Sequence, residues 1–91
     1  MNTENIPVAL QSLSKMIDTD YCEWVKKITS VQEACGADSS DEAFDPCADD
    51  FQAAGFSADE SAALIFAMTQ DYCGVAVDNV DNLTRWIETN A

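Results

Sequence analysis

The groups in this 91-residue sequence that could do chemistry are thiols, hydroxyls and, above all, carboxylates. The chain has no histidine, which removes the commonest general base and the commonest zinc ligand. It has no glycine-rich phosphate loop, and its serines and cysteines have no histidine to activate them. We therefore expect a protein that is not an enzyme and that carries no cofactor.

The four cysteines are Cys22, Cys35, Cys47 and Cys73, and no two of them form a C-x-x-C pair. A zinc site would have to be assembled from thiolates scattered along the chain. Each cysteine lies within or next to an apolar stripe, which predicts reduced, buried thiols that act as small hydrophobic side chains. If the protein is exported, the four cysteines could instead form two disulfides.

The run from Asp38 to Asp49 can be compared with the twelve-residue calcium-binding loop of the EF-hand. Asp38, Ser40, Glu42 and Asp49 fall at positions 1, 3, 5 and 12 of a twelve-residue loop. Position 6, which needs glycine for a sharp turn, holds Ala43, and the last ligand is Asp instead of a bidentate Glu. We therefore predict no metal site.

Negative charge dominates the composition. Seventeen acids oppose four bases, and the net charge is -13. The bases are Lys15, Lys26, Lys27 and Arg85, so the 57 residues from 28 to 84 carry twelve carboxylates and no cation. Ion pairs within the chain cannot neutralise that segment, and the folded state must bear self-repulsion. Solubility is one interpretation, but a surface that serves only solubility normally mixes both signs.

The elements that would position these carboxylates are helices, because apolar residues recur at intervals of three and four and almost never alternate. With 47% apolar residues the chain should fold, and we expect an all-α, compact bundle of four to five short helices in a single domain over residues 1–91. No stretch resembles a secretory signal or a membrane span, so the expected location is cytoplasmic.

Capping residues set the predicted helix limits. The first helix covers 6–17, and the second starts at the Asp20 cap and ends at Gly36. A third starts at Asp45 with Pro46 in its first turn and ends at Gly55. The capping box Ser57–Glu60 opens a fourth that runs to Gly74, an extended connector covers 75–77, and Asp78 or Asn79 caps the last.

The acids from residue 38 onward form the candidate site. On a rigid body they could imitate duplex DNA, which carries about one negative charge per 1.7 Å of axis, and so occupy a basic groove. Tight binding also needs apolar anchors, for which Phe44 and Phe56 are the candidates, although core packing is the alternative for both. The expected partner-binding residues are Asp38, Asp41, Glu42, Phe44, Asp45, Asp49, Asp50, Phe56, Asp59 and Glu60.

Part of the chain resembles acyl carrier proteins, which are small, acidic and helical. The stretch 55–72 aligns with the modified-serine segment and second helix of that family, and the stretch 80–87 aligns with its final helix. In that register Ala58 takes the place of the serine that carries phosphopantetheine, and Ser39 or Ser57 would have to carry it instead. The resemblance implies a degenerate carrier-like protein.

In size and charge the chain resembles phage or mobile-element inhibitors, namely DNA mimics and anti-CRISPR or anti-restriction factors, and bacterial nuclease-immunity proteins. That resemblance implies a non-catalytic inhibitor whose partner is a basic protein, either a nucleic-acid-binding complex or a nuclease. It implies no direct binding of nucleic acid and no membrane. A self-associating acidic adaptor subunit is a third possibility, and the sequence leaves the oligomeric state open.

Overall fold

The computed structural model describes residues 5–91, which form five helices and one short hairpin with a radius of gyration of 11.7 Å. The helices are α1 (Asn5–Thr19), α2 (Tyr21–Ala34), α3 (Ala48–Ala53), α4 (Ala58–Ala67) and α5 (Val80–Asn90). Strands β1 (Asp71–Tyr72) and β2 (Val75–Ala76) pair antiparallel. The predicted helical bundle is confirmed in outline, with the hairpin as an addition. Within the described residues, no helix is both long and apolar enough to cross a membrane.

Three predicted helix starts are confirmed by their capping hydrogen bonds. Asp20 caps α2 by accepting the Glu23 N–H at 3.3 Å. At α4 the capping box is complete, because Ser57 Oγ accepts the Glu60 N–H at 3.1 Å and Glu60 Oε1 accepts the Ser57 N–H at 2.9 Å. Asn79 caps α5. These acceptors satisfy backbone donors that lie too early in each helix to find a carbonyl.

Helix α3 begins later than predicted. The sequence placed its start at Asp45 with Pro46 in the first turn, but Cys47 is the N-cap and Ala48 the first helical residue. The start is fixed locally, because Asp50 Oδ2 accepts the Cys47 N–H at 2.9 Å and so forms the capping pair two residues further along the chain than the predicted Asp45 cap.

The hairpin replaces the predicted last turns of the fourth helix. Cys73 and Gly74 both have positive φ, at 52° and 83°, as the two-residue turn of a type I′ hairpin requires. The chain then returns so that Val77 is fully buried and its N–H donates to the Gln70 carbonyl at 3.2 Å. Burial of Val77 therefore favours a reversal of the chain over a longer helix.

Aromatic side chains fill the centre of the core. Trp24 is fully buried, and its indole N–H donates to Thr84 Oγ1 at 3.1 Å, which ties α2 to α5. The ring of Phe56 meets the rings of Trp24 and Phe51 edge-on, with centroids 5.9 and 6.0 Å apart. Leu13 and Leu64 are fully buried where α1 packs on α4. The acidic surface is thus built on a close-packed body.

Two serines on α4 allow a matched test of this local structure. Ser57→Ala removes the cap and should lower the free energy of unfolding by about 1 kcal/mol. Ser61 Oγ is buried and has no hydrogen-bond partner within residues 5–91, so Ser61→Ala should be neutral or stabilising by up to about 1 kcal/mol. Urea unfolding of both variants at neutral pH measures the difference. Equal destabilisation of the two variants would contradict the assigned hydrogen bonds.

Candidate acidic interface

The segment 38–50 contains the densest run of carboxylates and is fixed against two helices. On one side the Gln32 side chain, which is only 5% exposed, donates from Nε2 to the Ser39 carbonyl. Ala37 is also buried, and its N–H donates to the Gln32 carbonyl at 3.0 Å. The chain is therefore anchored as it leaves α2, immediately before the first of these acids.

On its other side the segment is tied to the start of α5. The Phe44 N–H donates to the carbonyl of Asp78, which lies just before α5, at 2.9 Å. Two further hydrogen bonds join the acidic segment to the start of α5. Asp81 N donates to the Ser40 carbonyl at 3.1 Å, and Asn79 Nδ2 donates to the Asp41 carbonyl at 3.3 Å. The loop is held at several points along its length, so its carboxylates project from a fixed backbone.

These ties bring two further acids beside the segment, Asp78 and Asp81, which both have exposed side chains. Sequence reasoning placed Asp78 at a helix cap and did not join it or Asp81 to the site, because no local pattern shows that the loop docks there. We define the acidic face as the six acids of the segment together with these two. Its members are Asp38, Asp41, Glu42, Asp45, Asp49, Asp50, Asp78 and Asp81.

Asp59 and Glu60, which were expected to belong to the same group, make different contacts. Asp59 Oδ1 lies 3.5 Å from Asn5 Nδ2, and Glu60 Oε2 accepts from Ser12 Oγ at 3.2 Å. Both contacts lead to α1, whereas those of the acidic face lead to α2 and α5. We therefore leave these two residues out of the acidic face.

Phe44 and Phe56 are not surface anchors, and that expectation is wrong. Their exposed fractions are 7% and 3%. Phe56 lies in the aromatic cluster with Lys27 Nζ 5.3 Å from its ring centroid, and the same ammonium donates to the Gly55 carbonyl at 3.1 Å. Core packing, which was the alternative interpretation, accounts for both rings because each fixes an adjoining irregular segment to the body.

Many of the acids lie where backbone dipoles favour them. Each of α2, α3, α4 and α5 has at least one acid in its first turn, and no described helix has a base in its last turn. Free N–H groups and the positive end of the helix dipole stabilise carboxylates at these positions. The acids concerned are Glu23, Asp49, Asp50, Asp59, Glu60 and Asp81.

Asp50 shows this effect most clearly. Its Oδ2 accepts the Cys47 N–H at 2.9 Å, and this backbone hydrogen bond holds the pKa of the Asp50 carboxyl below its ordinary value of 3.8. The Cys35 thiol lies 3.9 Å from the same oxygen. Burial, and then the charges of Asp50 and its neighbours, raise the pKa of the Cys35 thiol above its ordinary value of 9.0, so the thiol stays protonated at neutral pH.

All four cysteines are free thiols. The prediction that they are buried is wrong for Cys22, Cys47 and Cys73, which are exposed, while Cys35 is half-buried. The exposed three sit at helix or hairpin ends, where an apolar stripe meets the surface. No group of three or more histidine, cysteine or acidic residues within 5–91 has the arrangement to hold a metal ion.

The two serines named as carrier candidates are both engaged locally. Ser39 Oγ donates to Asp41 Oδ1 at 2.6 Å, and Ser57 Oγ caps α4. The acidic face thus presents charge and hydrogen-bond acceptors. No family model, curated protein or solved structure matches this chain.

The pKa of Asp50 gives a pH-dependent prediction. Because folding lowers this pKa, ionised Asp50 stabilises the fold above pH 3.8, and that contribution is lost as the pH falls through the folded-state pKa. Asp50→Asn should therefore lower the Tm at pH 7, and its difference from wild type should shrink at acidic pH. Asp49→Asn is the matched control, because it removes a neighbouring charge but no capping bond. A Tm difference for Asp50→Asn that does not change with pH would contradict this account.

Proposed function

We propose that this protein is a non-catalytic inhibitor whose acidic face occupies a basic, nucleic-acid-binding site on a partner protein. The partner is a nucleic-acid-binding complex or a nuclease, as for DNA mimics, anti-CRISPR and anti-restriction factors and immunity proteins. The inhibitor binds the partner and not the nucleic acid, because its own net charge is -13. Four free thiols suit a reducing compartment, and the proposal places the protein in the cytoplasm.

One observation carries the proposal: eight acids, seven of them exposed, lie on a backbone that is hydrogen-bonded to two helices, within a stretch of 57 residues that has no cation. A flexible acidic tail would lose conformational entropy when a partner ordered it. Here folding has already fixed the backbone. The acids therefore meet a cationic groove as a preorganised array, which is how the phosphates of a duplex meet it.

Electrostatics defines the kind of partner. A surface of one sign raises the rate of encounter with a surface of the opposite sign, and it disfavours partners of its own sign. Grooves that bind nucleic acid carry dense Lys and Arg because they must neutralise several phosphates. Such grooves complement an acidic face whose eight members all lie in a stretch of sequence that has no cation.

Capture from the native host's lysate tests the proposal. The immobilised protein should retain one or a few nucleic-acid-binding proteins at low salt and release them as salt screens the charges. The variant Asp38→Asn/Asp45→Asn/Asp49→Asn removes three charges from the acidic face without removing a side-chain hydrogen bond found in residues 5–91. It should retain the partner several-fold less well.

The matched control is Asp18→Asn/Glu23→Gln/Glu88→Gln, which changes the net charge equally on α1, α2 and α5 outside the acidic face. It should retain the partner nearly as well as wild type does. If both variants lose the partner equally, net charge alone drives binding and the acidic face is not the site. Recovery of no nucleic-acid-binding protein would overturn the proposal.

A further inference from the structure

An open cavity of about 590 Å³ lies at the edge of the acidic face. The end of α2, the middle of the acidic segment, the end of α4 and the residue before the α5 cap all contribute to its wall. Its volume is within the range of about 300–1,000 Å³ that is usual for small-ligand sites. The residues that matter for its chemistry are Cys35, Phe44, Asp45, Ile65, Met68 and Asp78.

The floor of this cavity is apolar. Ile65 and Met68 are half-buried side chains packed against the core, and Phe44 is buried beside them. Cys35 adds a thiol to this floor. Burial is the main cause of its raised pKa, and the raised pKa keeps the thiol uncharged at neutral pH. Removal of apolar surface from water is favourable, so an apolar group that covers this floor would bind with a gain in free energy.

Two carboxylates lie on the rim. Asp45 and Asp78 are exposed, and the 2.9 Å hydrogen bond from the Phe44 N–H to the Asp78 carbonyl holds their backbones near one another. Neither side chain accepts a hydrogen bond from any group within residues 5–91, so both have free acceptor oxygens. None of the lining residues in the part of the chain described is a Lys or an Arg.

A long cation with an apolar stem complements an apolar floor below a carboxylate rim. The stem of arginine has three methylene groups that can cover Ile65 and Met68, and its planar guanidinium presents five N–H donors to carboxylates. Lysine has a similar stem, but its ammonium is a strongly hydrated point charge that loses more on leaving water.

We propose that this cavity receives an arginine side chain of the partner protein. The inference rests on the proposed function and names the contact at the centre of that interface. Burial of the arginine stem supplies the apolar anchor that Phe44 and Phe56 do not supply. Recognition of the guanidinium by Asp45 and Asp78 selects a partner whose groove carries an arginine at that point.

The probe Nα-acetyl-L-arginine N-methylamide tests the site without the partner. NMR spectra of the labelled protein at low salt should show the largest shifts at the Ile65 and Met68 methyl groups and the Ala43 amide. Asp45→Asn/Asp78→Asn should raise the probe's Kd about fivefold or more, because both charge-assisted acceptors are weakened. The control Asp18→Asn/Glu88→Gln, with the same change in net charge, should alter the Kd less than about twofold.

Three outcomes would overturn the inference: shifts spread evenly over the acidic residues, equal weakening in the two double variants, or equally tight binding of the corresponding lysine amide. The probe needs no partner, so the two proposals fail separately. Probe binding at the cavity together with an unsuccessful lysate capture would reject the inhibitor function alone. Successful capture together with no probe binding at the cavity would reject the arginine site alone.

Discussion

Repulsion among carboxylates is the constraint that the rest of this structure must satisfy. With four cations against seventeen acids, ion pairing cannot do it. The chain instead places acids in the first turns of four helices, where free N–H groups and the helix dipole stabilise them. One of the few cations, Lys27, is committed inward to the Gly55 carbonyl and the Phe56 ring. Local backbone dipoles therefore offset part of the repulsion among the carboxylates without reducing the net negative charge of the surface.

Features of the fold set by neighbours in sequence could be predicted. The caps at Asp20, Ser57 and Asn79 are local, because each side chain bonds a backbone N–H three residues ahead. The start of α3 is local too, but its Cys47–Asp50 pair is a weaker sequence signal than Asp45 followed by Pro46, because cysteine is not a favoured N-cap residue. The hairpin at Cys73–Gly74 could not be predicted in the same way. The hairpin depends on where a distant chain segment docks, because Val77 is fully buried only after the chain has reversed.

The candidate site also has a part that sequence neighbours determine and a part that depends on the docking of distant segments. The acids between 38 and 50 were recognisable because their density and lack of cations are properties of the sequence itself. Asp78 and Asp81 join them only through the docking of the loop on α5, which no spacing rule describes. Phe44 and Phe56 were ambiguous for a related reason. A phenylalanine at the margin of a helix has the same periodicity whether its ring covers the core or faces solvent, and here both rings are buried.

The burial of those two rings changes how a charge-imitating surface would work. An exposed Phe44 would have supplied an anchor, but the loop would have lost one of the apolar contacts that hold it to the core. A buried Phe44 and the hydrogen bonds to α5 fix the spacing of the charges before any partner arrives. The anchor must then come from the partner, and an apolar cavity rimmed by Asp45 and Asp78 is the kind of surface that can accept one. Under the proposed function, the rigidity of the acidic face and its need for an anchor from the partner both follow from this packing.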